Sequence, residues 1–397
     1  MGTHVDAAIV CCDGHGLSAE LRVAAHARLE VVDELGRLWR QVCSGAALPA
    51  GHLGILTAEI ASCQARTLND ARQQAMLRNG DLLVVGVLDP GAWYNVVNGP
   101  PRCTPLSDAA RLAEASGLNV VDAFPLRDLA VGGQGGPVNA LGEASLVRST
   151  TTPRVLVDLG RTLKLTYVPP QQHSPHDETI SFDVGPGTRL LDELAREMTG
   201  GKESYDPGGR MAVQGRCIPE LLNLWLSDTY YDRSVPRFCP HGVSVDRFTA
   251  DARKQAVENR WTLGDMLCTA THLLAESLLV AVRKWVPHVT RGGEIVLRGG
   301  GQQNGMLLRE IAGRFESAAV VRLCDLGIPD AGFEAATGAA LAMLHLDQVP
   351  GNSTAITGAE VPRVLGRLTP GPPQAWYRLL SEMVQHRPAR LSLRRAV

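Results

Sequence analysis

The segment Phe182-Asp183-Val184-Gly185-Pro186-Gly187-Thr188-Arg189-Leu190-Leu191-Asp192 constrains this chain most. It sets an acid, a Gly-Pro-Gly turn and a second acid between a β-type run and a helical run. Such a string predicts a rigid corner with a polar site on it: Gly185 and Gly187 let backbone N–H groups come close to an oxyanion, and Pro186 stiffens the turn. Asp183 falls where the predicted strand ends, placed to orient a metal or a hydroxyl. Two more glycine corners join apolar runs to helices or loops, Asp128 to Pro137 and Gly299 to Asn304. Three such corners in one chain point to a phosphate-handling cleft.

The chain has 397 residues, of which 45% are hydrophobic, enough for a full core and for two lobes. A formal net charge of -2 gives no reason to expect nucleic acid or an anionic membrane as a partner. Charges interrupt the apolar segments before the ~18 residues a membrane span needs, and no basic leader precedes an apolar stretch, so a cytoplasmic protein is expected. The nine cysteines lack Cys-x-x-Cys spacing and predict reduced, mostly buried thiols rather than a zinc site. His173, His176 and Asp177 lie in a Pro/Gln/His-rich stretch read as a solvated loop.

Periodicity predicts strands at Val5–Cys12, Leu21–Leu29, Leu82–Leu88 and Asn119–Phe124, the last delivering Asp128 to its corner, with helices at Ala58–Leu77 and Asp108–Ser116. From Pro153 the scheme repeats: a hairpin of Val155–Leu159 and Lys164–Val168, then a strand Thr179–Asp183. Helices are expected at Arg189–Thr199, Pro219–Leu226, Leu263–Trp285, Met306–Phe315, Phe333–Leu346 and Gln374–Gln385, and strands at Glu294–Leu297 and Ala319–Leu323. The repetition suggests two related α/β lobes, residues 1–150 and 151–397, with mixed sheets flanked by helices and the last helix free to pack back on the first lobe. The arginine-rich end (Arg387, Arg390, Arg394, Arg395) is read as a solvated tail.

Six strings, in order, resemble the anhydro-N-acetylmuramic acid kinase family of the actin-like ATPase and hexokinase clan. Phe182 to Asp192 resembles its Phe-Asp-Thr-Gly-Pro-Gly-Asn segment, Tyr205 to Gly209 its Tyr-Asp-x-x-Gly, and Arg127 to Pro137 its Arg-Asp-x-Ala-x-Gly-Gly-Gln-Gly-Ala-Pro. Gly299 to Asn304 resembles a Gly-Gly-Gly-x-x-Asn corner; Gly327 to Pro329 with Glu334-Ala335, and Gly351-Asn352 to Ala359, resemble its later signatures. The resemblance implies an ATP- and Mg2+-dependent kinase that opens the 1,6-anhydro ring of a cell-wall amino sugar and phosphorylates O6, in peptidoglycan recycling, with a homodimer as one possible assembly. It implies Asp128 as general base. Asp183 would organise Mg2+ and phosphate; Gly160, Gly185, Gly187, Gly299, Gly300, Gly301 and Asn304 would approach the nucleotide; Gln134 and Glu334 would hold the sugar.

Plainer readings stand beside these. Asp128 also fits a turn or helix cap, Asp183 an Asx turn, Gly299 to Gly301 a tight connection, and Glu334 a first-turn acid favoured by the helix dipole. The sequence also departs from the family. Only a remnant of its glycine-, serine- and threonine-rich opening loop is present at Met1 to Ala8, and Asp158 to Lys164 replaces Asn-Ile-Gly-Gly-Ile-Ala-Asn. Leu88 to Gly91 stands in place of His-Gly-Gln, and Pro236 to Gly242 in place of Pro-Lys-Ser-Thr-Gly-Arg. Arg161, Lys164 and Arg237 are candidate replacement phosphate ligands. The alternative function is a catalytically impaired homologue that binds the sugar or regulates.

Overall fold

The computed structural model describes residues 4–43, 49–89, 91–94, 101–173 and 178–385. In chain order its strands are β1 (His4–Asp13), β2 (Glu20–Glu30), β3 (Val84–Gly86), β4 (Ala92–Tyr94), β5 (Arg102–Thr104), β6 (Asn119–Asp122), β7 (Arg154–Leu159), β8 (Thr162–Val168), β9 (Ile180–Pro186), β10 (Glu294–Arg298), β11 (Ala319–Arg322) and β12 (Arg367–Thr369). Mixed sheets flanked by helices form a two-lobed α/β protein, as expected.

In the second lobe the sheet runs β11-β10-β7-β8-β9. β7, β8 and β9 are antiparallel neighbours, because the two-residue link Gly160-Arg161 folds β8 straight back on β7. β10 and β11 return parallel to β7 after helical crossovers, which parallel pairing requires. The helix Leu263–Trp285 starts at a capping box, where the Thr262 hydroxyl accepts from the Asp265 N–H at 3.2 Å and Asp265 accepts from the Thr262 N–H at 2.9 Å. By length and composition it would cross a membrane, but 78% of its most apolar window is buried. Leu267, Leu274 and Leu278 pack there with Phe182, Leu194 and Trp225.

The first lobe holds the β1–β2 hairpin and a separate sheet ordered β12-β6-β3. β3 and β6 are parallel, and β12 closes antiparallel on β6 with Arg367 gripping buried Asp122 at 2.7 Å. Its core mixes early and late residues, Val121, Phe124 and Leu141 with Leu341, Ile356 and Leu365. The helix Phe333–Leu346 and β12 therefore belong physically to this lobe.

Three expectations are corrected. The strand from Asn119 ends at Asp122, and Phe124 already opens the short helix Phe124–Leu129 that carries Asp128. β9 runs past Asp183 to Pro186, so Asp183 is a mid-strand residue. Cys11, Cys12 and Cys324 are exposed, and among the described cysteine side chains only Cys268 is fully buried, so the thiols are free but not mostly interior. His176, Asp177 and the four arginines of the C-terminal end lie outside the described residues.

Candidate active site

A row of alternating charge crosses the second lobe's sheet at the carboxyl ends of β7 and β10, where ligands of open α/β sheets bind. Pairing register sets Arg298 beside Asp158, Asp158 beside Lys164 and Lys164 beside Asp183, so four adjacent strands present these side chains on one face. Arg298 Nη1 donates to Asp158 Oδ2 at 2.6 Å and to Glu334 Oε1 at 2.6 Å. Its guanidinium lies 4.9 Å from the centre of the Phe333 ring, while its Nε is buried without an acceptor. Lys164 Nζ donates to Glu143 Oε1 at 2.5 Å, and Glu143 Oε2 accepts from the Thr166 hydroxyl at 2.8 Å. Asn139 closes the network, donating to Glu143 at 2.9 Å and more loosely to Glu334 at 3.4 Å.

Burial pushes the Asp158 carboxyl above its ordinary pKa despite Arg298 and Lys164. For Lys164 burial works the other way, but Glu143, Glu334 and Asp158 outweigh it and hold the ammonium charged. The Arg298 and Lys164 charges hold the pKa of Glu334, a largely exposed side chain, below its ordinary value. Removing Arg298 would strand the half-buried Asp158 carboxylate, whereas the exposed Glu334 keeps access to water.

Asp183 differs from the other acids of the row. It is 5% exposed, and burial pushes its pKa up to about 6. One oxygen accepts from the Cys239 N–H at 2.7 Å; among the described residues no donor reaches the other. Its backbone is fixed on both sides, the carbonyl accepting from Arg237 Nε at 2.8 Å and the Tyr230 hydroxyl at 2.9 Å. A buried carboxylate titrating near neutrality with an undonated oxygen has the properties of a general base.

The residue expected to be that base is placed otherwise. Asp128 has no exposure, and its carboxylate accepts from Asn352 Nδ2 at 2.5 Å, Thr357 Oγ1 at 2.6 Å and the Gly135 N–H at 2.8 Å. Held by three protein donors and fully buried, it rivets the Gly132–Pro137 corner to the Gly351–Ala359 signature. Gln134 is likewise committed: its Nε2 donates to Pro236 O at 2.8 Å and its Oε1 accepts from the Phe238 N–H at 2.9 Å. It clasps the loop that supports Asp183 with both ends of its amide. Arg237, a candidate phosphate ligand, spends its donors on the carbonyls of Asp183, Val184, Tyr230, Tyr231 and Arg233. It is structural.

The Gly-Pro-Gly corner also serves packing before phosphate. The Gly187 N–H donates to Arg161 O at 3.1 Å, so it offers no free donor, and Gly185 lies opposite Leu163 in the sheet. A Cβ on Gly187 would sit 2.2 Å from Gly160 O and 2.8 Å from Leu163 N, both backbone atoms. Gly187→Ala is therefore expected to cost about 1–3 kcal/mol by forced backbone movement, measured by urea unfolding. Gly300→Ala, with nothing within 4 Å of the added carbon, is the neutral control.

Gly299 adopts φ +87 and donates its N–H to Asp330 Oδ1 at 3.0 Å, turning the chain immediately after Arg298. Gly301 is buried against Leu159, Gly300 is exposed, and Asn304 caps the helix Gly305–Arg314 through the Leu307 N–H at 3.0 Å. Gly160 approaches the same spot through the Asp158 carboxylate, 3.0 Å from where its Cβ would lie. Of the expected residues the fold thus gathers Asp183, Gly160, Gly299, Gly300, Gly301 and Glu334 at one set of strand ends, and leaves Asp128, Gln134 and Asn304 as fasteners. Exposed Arg161 sits on the β7–β8 turn beside them. Sequence reasoning missed Arg298, Glu143 and Asn139; the signal for Arg298 was a charged residue directly before a glycine corner at the end of an apolar strand.

The family model described as "Anhydro-N-acetylmuramic acid kinase" matches residues 1–371. A protein of that name from Ralstonia nicotianae is 33% identical over 262 residues, covering 66% of this chain and 67% of its own length. One from Picosynechococcus sp. is 28% identical over 367 residues, covering 92% of this chain and 95% of its own. A third, from Gloeobacter violaceus, is 31% identical over 340 residues, with 84% and 86% covered.

Proposed function

Since this chain belongs to the anhydro-N-acetylmuramic acid kinase family, we propose that it uses ATP to open the 1,6-anhydro ring of anhydro-N-acetylmuramic acid and phosphorylate O6, a cytoplasmic step of peptidoglycan recycling. The observation that carries the site assignment is Asp183, a buried carboxylate with a pKa of about 6 and an undonated oxygen beside the Lys164–Asp158–Arg298 row.

Water attacks the anomeric carbon, giving its proton to Asp183. The bond from that carbon to O6 breaks, and O6 takes the γ-phosphoryl group as ADP leaves. Phosphoryl transfer of this kind needs positioning and charge stabilisation more than covalent help. Lys164 and Arg298 supply fixed positive charge at the strand ends, and Arg161 is placed to meet the phosphate tail from the exposed turn. Glu334, whose second oxygen has only a 3.4 Å contact, retains capacity for a sugar hydroxyl. A Mg2+ ion bound with ATP would be held through water by a hard carboxylate at these strand ends, Asp158, and would supply charge neutralisation for the transferred group, leaving Asp183 to take the proton.

The testing experiment is thermal unfolding with ATP and Mg2+, followed by ADP release on addition of the anhydro sugar. At 100 times its dissociation constant a ligand stabilises by about 2.7 kcal/mol, so a clear upward shift is expected. No shift together with no sugar-dependent ADP release rejects the proposal.

A further inference from the structure

β9 is the edge strand of the five-stranded sheet, and it carries a bulge at the proposed base. The consecutive residues Leu163 and Lys164 of β8 face Gly185 and Asp183 of β9, so Val184 is the extra residue. A bulge at a sheet edge re-aims the side chain beside it and leaves the local ladder short of bonds. Here one side chain supplies them. Arg237 Nε donates to Asp183 O at 2.8 Å and its Nη2 to Val184 O at 3.2 Å. Its Nη1 reaches the neighbouring loop, donating to Arg233 O at 3.0 Å and, more loosely, to Tyr230 O at 3.3 Å and Tyr231 O at 3.4 Å.

The guanidinium is 7% exposed and lies between two rings, 5.2 Å from the centre of Phe182 and 5.0 Å from that of Tyr230. Its described acceptors are all backbone carbonyls. A buried cation without a carboxylate partner is a costly fastener, and the planar fork explains its use, since a point-charge ammonium does not span bulge and loop together. The loop so held delivers the donor that the Asp183 carboxylate accepts from. The Asp183 N–H donates to Arg237 O at 3.0 Å, and two residues further on the Cys239 N–H donates to Asp183 Oδ2 at 2.7 Å. The first lobe grips the same turn from outside, Gln134 bonding Pro236 O and the Phe238 N–H while the Phe238 ring meets Trp93 edge-on at 5.6 Å.

We propose that Arg237 is a positioning residue for Asp183: by bridging the β9 bulge to the Tyr230–Cys239 loop it fixes the carboxylate through the Cys239 N–H and leaves the other oxygen for the attacking water. The inference rests on Asp183 being the base. Such bracing has a large effect on rate, because a displacement of about 1 Å at a reacting group costs on the order of 10²-fold.

The test compares wild type with Arg237→Lys, which keeps the charge without the fork, Arg237→Met, which keeps the length, and Arg237→Ala with and without added guanidinium ion. Per folded molecule, kcat for sugar-dependent ADP release is expected to fall about tenfold in the Lys variant and about 10²-fold in the other two, with KM for ATP and for the sugar changed by less than about twofold. Guanidinium, and not ammonium, is expected to restore the Ala variant roughly fivefold or more. Amide exchange at Cys239, followed without nucleotide or sugar, is expected to quicken about tenfold in the Lys variant while exchange at Leu165 of β8 stays as in wild type. The Lys variant carries the test if the Met and Ala variants do not fold. Unchanged kcat with unchanged exchange overturns the proposal, and so does a loss of activity that only follows the folded fraction. Quickened exchange with unchanged kcat overturns it through the base reading beneath it, and undiminished turnover in Asp183→Asn identifies that as the cause.

Discussion

Asp183→Asn is expected to lower turnover of the anhydro sugar by about 10²- to 10⁴-fold while the protein stays folded and still binds ATP, because general base catalysis contributes on that order. The wild-type pH profile checks the same assignment. Activity should rise with pH through about 6, the value to which burial pushes the Asp183 carboxyl from an ordinary 3.8. Stability should move in the opposite sense. With its pKa higher in the folded state than in the unfolded chain, the group stabilises the fold below about pH 4, and that contribution is lost as pH rises through about 6. The Asn variant lacks this loss and should gain up to roughly 3 kcal/mol over wild type at neutral pH, from about two pKa units at 1.36 kcal/mol each. Undiminished turnover in the variant removes Asp183 from the chemistry.

Asp128→Ala should give the largest loss of stability, about 3–5 kcal/mol by urea unfolding, because it leaves the Asn352 amide, the Thr357 hydroxyl and the Gly135 N–H buried without their acceptor. Its effect on rate should follow the folded fraction. A catalytic base would show the reverse pattern, with kcat collapsing while the unfolding midpoint holds. The two variants thus separate the roles of two carboxylates that look alike in sequence, each beside a glycine corner and each in a family-like string.

That ambiguity marks where the sequence was legible. Pro219–Leu226, Leu263–Trp285 and Phe333–Leu346 were read with their observed bounds, since a helical stripe and a local cap or proline suffice to define them. The β7–β8 hairpin was equally local. The sealing of Asp128 was not legible because two of its partners, Asn352 and Thr357, are 224 and 229 residues away. The Gly187 N–H is used by Arg161 O of the β7–β8 turn, which is not visible in its own string.

By itself the sequence determined the α/β class, the order of most elements, and a set of glycine corners and acids sufficient to recognise the family. Only the tertiary structure decided which acid is sealed and which keeps an open oxygen, and that Arg298 joins Asp158 to Glu334. The reason is range: helical periodicity, caps and tight turns act between neighbours, whereas the desolvation, ion pairing and strand register that give a carboxylate its role are set by groups the fold brings together from far along the chain.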